Sequence, residues 1–212
     1  MHVRSLHAAA IALALGFVAM LSPPARGAER VVVALGDSLT AGLGVAADEA
    51  YPARLEARLA REGYAYRVVN AGVSGDTTAG GLRRVDWVLR AKPEIVIVAL
   101  GANDGLRAQS PQAIRENLAA IVRRLQAAGA RVLLAGMRLP PNYGAEYTKE
   151  FQTVFPDVAR STGAAFMPFL LDGVAADPRL NQPDGIHPTA AGQQVIADRL
   201  WPYLRPLLTT GK

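Results

Sequence analysis

The sequence has no cysteine. Disulfides, thiolate metal sites and cysteine nucleophiles are therefore excluded, and the fold must draw its stability from its core alone. Histidine is almost as scarce, with 3 in 212 residues. No run of five or more Lys or Arg occurs, so the formal charge of +5 is dispersed. Dispersed charge of that kind belongs to a solvated surface rather than a nucleic-acid footprint, and no nucleic-acid partner is expected. Low-complexity segments, linkers and internal repeats are missing too. What is present is apolar residues, 50% of the chain, enough for one sizeable core in a single domain.

The N-terminus is distinct. A basic start, Met1-His2-Val3-Arg4, precedes an apolar stretch from Leu6 to Leu21 and then Ser22-Pro23-Pro24-Ala25-Arg26-Gly27-Ala28. This is the three-part form of a secretory signal peptide, with Ala25 and Gly27 at the two positions where a cut needs small residues. The reading assigns residues 1–27 to a signal peptide and residues 28–212 to the mature domain, exported to the periplasm or the medium. An uncleaved anchor is the alternative, because the stretch is nearly long enough to span a bilayer. Cleavage would remove His2 and His7, leaving His187 as the single histidine. Neither a zinc site nor any other metal or cofactor is then expected.

After Val31 short apolar runs alternate with amphipathic segments, the pattern of a parallel sheet covered by helices. Strands are expected at Val31–Leu35, Tyr66–Asn70, Ile95–Leu100, Arg131–Gly136 and Ala165–Met167. Pro52 and Gly63 bracket one helix. Ser110-Pro111 and Gly129 bracket another, with Ile114, Leu118, Ile121, Val122 and Leu125 on one stripe and Ser110 as the cap. A last helix begins near Pro188 and ends or kinks near Pro202.

Ligands in open parallel sheets bind beyond the carboxyl ends of the strands. There the sequence places Gly36-Asp37-Ser38-Leu39, Ser74-Gly75-Asp76-Thr77 and Gly101-Ala102-Asn103-Asp104, and Asp184-Gly185-Ile186-His187-Pro188 precedes the last helix. A serine at a strand-to-helix turn is a weak nucleophile until a base takes its proton. His187 is the available imidazole, and Asp184 is spaced to orient it. The Ser38 and Gly75 N–H groups and the Asn103 amide form a natural oxyanion-binding set. Each residue alone reads as a cap or turn residue, as Asp37 and Asp76 do in any case. Caps and turns have no reason to supply nucleophile, base, orienting acid and oxyanion donors in this order.

Gly36-Asp37-Ser38-Leu39 resembles the GDSL block, and Ser38, Gly75, Asn103 and His187 match the four letters of the SGNH hydrolases. Arg138-Leu139-Pro140-Pro141-Asn142-Tyr143-Gly144 is similar to the loop after the fourth strand in the bacterial periplasmic acyl-CoA thioesterase I, protease I and lysophospholipase L1 subgroup. The resemblance implies a three-layer α/β/α, flavodoxin-like fold on a mainly parallel five-stranded sheet. It also implies a metal-free acyl-enzyme mechanism acting on esters, aryl esters, thioesters and lysophospholipids. With it come substrate-binding roles for Asn142, Tyr143 and Ile186, transient contact with membrane lipid, and a monomeric state. A carbohydrate O-acetylesterase or an acyltransferase would carry the same residues, so both stay open. A non-catalytic module would be expected to have lost one of them. An ordinary α/β-hydrolase would need a G-x-S-x-G elbow, and none occurs.

Overall fold

The computed structural model describes residues 30–209, so the signal-peptide reading of residues 1–27 and the start at Ala28 lie outside the described residues. Five strands run β1 (Arg30–Gly36), β2 (Tyr66–Gly72), β3 (Ile95–Ala99), β4 (Arg131–Ala135) and β5 (Ala165–Met167). The helices are α1 (Ser38–Ala41), α2 (Tyr51–Arg61), α3 (Thr78–Arg83), α4 (Val85–Leu89), α5 (Ala102–Leu106), α6 (Pro111–Ala127), α7 (Ala145–Thr162) and α8 (Ala190–Leu204).

The strands pair in the order β2-β1-β3-β4-β5, every pairing parallel. Parallel strands need crossovers, so helices cover both faces of the sheet. α2 and α8 pack together on one face, and α3, α4, α6 and α7 form the other layer. This explains why β3 is apolar at every position: all five of its residues are buried. The edge strand β2 is only partly buried, and its sequence is correspondingly mixed.

Helix ends differ in part from expectation. Gly63 and Gly129 follow the ends of α2 and α6 with φ of 81° and 88°, as left-handed stops. Ser110 does occupy the position before α6, but its side chain makes no capping hydrogen bond, a correction to its reading as a cap. Pro111 starts that helix by itself, with its φ already helical and no N–H to satisfy. α8 runs through Pro202 to Leu204 before tightening into a 3-10 turn at Arg205–Leu207.

The winding of the sheet switches between β1 and β3, with β2 placed to one side of β1 and β3 to β5 to the other, so a crevice opens at the carboxyl ends of these two strands. Ser38 follows β1 and Asn103 follows β3, and β1 and β3 are neighbours. The opposite end is tied by Glu94, which accepts from the Tyr66 hydroxyl at 2.7 Å and pairs with Arg30 and Arg131.

Candidate active site

Asp37 ends the turn out of β1 and caps α1, its Oδ1 accepting from the Leu39 N–H at 3.0 Å. The turn is tight enough to require glycine before it. A Cβ on Gly36 would overlap Thr40 Oγ1 and come 2.9 Å from the Ala99 carbonyl. Ser38 is thereby the first residue of α1, and its N–H has no carbonyl one turn earlier within the helix to bond.

His187 reaches Ser38 from the far end of the chain. Its Nε2 lies 2.9 Å from Ser38 Oγ, and its Nδ1 lies 2.7 Å from Asp184 Oδ2. Asp184 Oδ1 accepts from the Ile186 and His187 N–H groups at 2.9 and 3.0 Å, so the carboxylate folds the loop around itself. Those hydrogen bonds, that from the His187 backbone first, then the His187 ring and the Ile186 N–H, hold the Asp184 carboxyl down at about 2. The loop is closed by an antiparallel bridge between Asn181 and Pro188.

Gly75 sits in the loop after β2 with φ 79°, and its N–H donates to none of the described residues. Asn103 lies in the first turn of α5. Its Nδ2 donates to the Asp76 carbonyl at 3.0 Å and to Asp37 Oδ2 at 3.3 Å. The four loops carrying Ser38, Gly75, Asn103 and His187 therefore meet. Asp37 is almost fully buried, and burial pushes its carboxyl up to about 6 against the Leu39 N–H, the Asn103 amide and the charge of His187.

The three residues read as substrate contacts are placed unequally. Ile186, beside His187, is 47% exposed. Tyr143 is part-buried and donates from its hydroxyl to the Leu106 carbonyl at 3.2 Å, joining the loop after β4 to the end of α5. Asn142 is exposed, and no hydrogen bond joins it to Ser38, His187 or Asp184 among the described residues. No group of three or more His, Asp or Glu among the described residues is placed to hold a metal ion.

Several supporting side chains escaped the sequence reading. Gln193 of α8, fully buried, donates to the Leu39 carbonyl at 3.1 Å and accepts from the Tyr51 N–H at 2.9 Å, which leaves α2 capped by another helix. Gln182 donates to the Leu43 carbonyl at 2.7 Å and the Pro188 carbonyl at 3.0 Å, linking α1 to the His187 loop. Arg84 donates to Asp76 Oδ2, the Ala71 carbonyl and the Gly36 carbonyl at 2.7, 2.7 and 2.8 Å. Asp104 accepts from the Thr78 N–H and hydroxyl at 2.9 and 2.6 Å. Apart from Arg84 with Asp76 and Gln182 with Pro188, 8 and 6 residues apart, the partners lie far along the chain, so no local pattern signals the pair.

A hydroxyl, an imidazole and a carboxylate in hydrogen-bonded series, with the Gly75 N–H and the Asn103 amide on adjoining loops, can perform acyl transfer. Comparison with known proteins points the same way. The family model described as GDSL-like lipase/acylhydrolase matches residues 34–195. Esterase TesA of Pseudomonas aeruginosa is 44% identical over 194 residues, 91% of this chain and 96% of its own. The thioesterase 1/protease 1/lysophospholipase L1 of Escherichia coli K12 is 38% identical over 193 residues, 91% of each chain. The crystal structure of AlinE4, an SGNH-hydrolase family esterase, matches with a TM-score of 0.72 and 46% identity, over 86% of this chain and 98% of that one. With Ser38, Gly75, Asn103 and His187 all inside the matched span, the chain belongs to the GDSL-like lipase/acylhydrolase family.

Proposed function

We propose that this enzyme hydrolyses carboxylic esters and thioesters through an acyl-enzyme on Ser38. The observation that carries the reading is the series Asp184–His187–Ser38, with contacts of 2.7 and 2.9 Å. His187 Nε2 takes the Ser38 proton as Oγ attacks the acyl carbon, and Asp184 holds the ring and supports its positive charge. The same nitrogen returns the proton to the departing alcohol or thiol. Water, activated by His187, then releases the acid and restores Ser38.

The oxyanion is assigned to the Ser38 and Gly75 N–H groups and the Asn103 amide. Of the two hydrogen bonds made by Asn103, the longer one to Asp37 is the one a developing oxyanion replaces. Ile186, Tyr143 and Asn142 are assigned to the substrate. Exposed Leu43 and Val73, whose backbones pair with Gln182 and Gly36, are assigned with Ile186 to the acyl chain. The enzyme is placed in the periplasm or the medium, starting at Ala28, on the strength of the N-terminal pattern.

One experiment tests these assignments together. A fluorophosphonate applied to cells should label the exported protein once, on Ser38, in a polypeptide whose first residue is Ala28. Ser38→Ala should abolish labelling along with hydrolysis of p-nitrophenyl butyrate and butyryl-CoA. Labelling or turnover that persists in Ser38→Ala means that another group is the nucleophile, and an intact Met1 on the labelled protein overturns the cleavage assignment.

A further inference from the structure

Arg107 closes α5 and is exposed, and it has no role in the chemistry above. Its guanidinium donates through both terminal nitrogens to the Gly75 carbonyl, at 3.2 and 3.3 Å. A Cβ on Gly75 would lie 3.7 Å from Nη2. Its neighbour Leu106 accepts from the Tyr143 hydroxyl, so Arg107 stands between the residue assigned to the oxyanion and the loop assigned to substrate. No carboxylate among the described residues pairs with it, whereas Arg84, one loop away, is paired with Asp76 at 2.7 Å. A guanidinium is charged at every working pH, and five donors in a plane match phosphate geometry. Its two contacts to a single carbonyl leave further N–H groups for a ligand.

Reach selects the ligand. The Gly75 N–H and carbonyl belong to one residue, so the nearer terminal nitrogen of the guanidinium lies within about 10 Å of an oxyanion on that N–H by summed bond and hydrogen-bond lengths. In an ester of glycerol 3-phosphate the phosphorus is six covalent bonds from the acyl carbon. In an acyl-CoA the nearest phosphorus is more than twice as many bonds away. We infer that Arg107 recognises a phosphate carried close to the scissile ester on the leaving alcohol, as in a glycerophosphate ester. The inference rests on the assignment of Ser38, Gly75 and Tyr143 to the ester site.

The test uses two soluble esters that differ only in the phosphate, 1-butyrylglycerol 3-phosphate and 1-butyrylglycerol. Arg107→Gln keeps a donor for the Gly75 carbonyl and removes the charge. The ratio of kcat/KM for the phosphorylated over the neutral ester should fall about tenfold in that variant, mainly through KM. Arg107→Lys should retain part of the ratio, as a point charge without the planar fork. For butyryl-CoA against butyryl-pantetheine the ratio should move less than about twofold, since the nucleotide phosphates lie beyond reach. An unchanged glycerophosphate ratio, or equal loss on both butyrylglycerol esters, overturns the inference and leaves Arg107 as a brace for Gly75. A drop confined to the CoA pair overturns the assignment to a nearby phosphate. Should hydrolysis of all these substrates survive Ser38→Ala, the underlying ester site is wrong, which is a different result from an unchanged ratio with Ser38-dependent turnover.

Discussion

Asn103 is held by acceptors from two other loops, the Asp76 carbonyl and the Asp37 carboxylate, and this gives its substitution two separable effects. Loss of an oxyanion donor in Asn103→Ala should lower kcat by about a hundred- to a thousandfold with much less change in KM, because the bond strengthens only as charge develops. Loss of its ground-state partners should lower stability by about 1–3 kcal/mol, since a buried carboxylate and a carbonyl each lose a donor. Melting temperature and kcat per active site, measured on one preparation, distinguish these effects. A destabilised variant with near-normal kcat makes Asn103 a loop former only. In the sequence, Asn103 was legible as a candidate because a neutral amide follows a buried strand at the ligand-binding rim. Its two acceptors were not, as they depend on which loops become neighbours.

Among the elements, the short ones build the site. Helices α1, α3, α4 and α5 are each six residues or fewer, too brief to show a hydrophobic period, and only the turn into α1 at Ser38 was readable beforehand. The sequence reading also names no helix between Gly144 and Ala165, where α7 runs for 18 residues. Its Phe151, Val154, Phe155 and Val158 do form a buried stripe, but Pro156 in the interior is a strong contrary signal. Arg84, between α3 and α4, binds the ends of β1 and β2 and the residue after Gly75, and it is largely shielded from solvent. Arg84→Ala should therefore cost about 2–4 kcal/mol, read as a lower urea midpoint, by leaving two carbonyls and a carboxylate short of a partner. The folded fraction should also lose kcat more than KM, because the Gly75 loop is aimed from this point. A variant with unchanged midpoint and kcat would mean that the loops hold themselves.

For the whole molecule, the most informative titration is that of Asp37. Its carboxyl is raised by burial from the ordinary 3.8 to about 6. A raised carboxyl favours the fold where it is protonated, so its contribution is complete below 3.8 and is lost as pH rises through about 6. Wild-type stability relative to Asp37→Asn should accordingly increase as pH falls from about 7 to about 4, and then level off. Asp184, held low at about 2, works with the opposite sign but is common to both proteins and cancels. Urea midpoints of the pair across this range check the expectation, and a pH-independent difference would mean that Asp37 titrates alike in folded and unfolded chains. The sequence by itself determined the strands, the main helix ends and the identity of the four loop blocks, because buried parallel strands and glycine or proline boundaries are written in local composition. Tertiary structure alone decided the geometry by which His187, the candidate base, meets Ser38 across 149 residues, that Gln193 caps α2, and that Arg107 lies on the Gly75 carbonyl with no carboxylate partner among the described residues. Those pairings follow from the strand order and from which loops share the carboxyl rim, and neither composition nor spacing encodes that geometry.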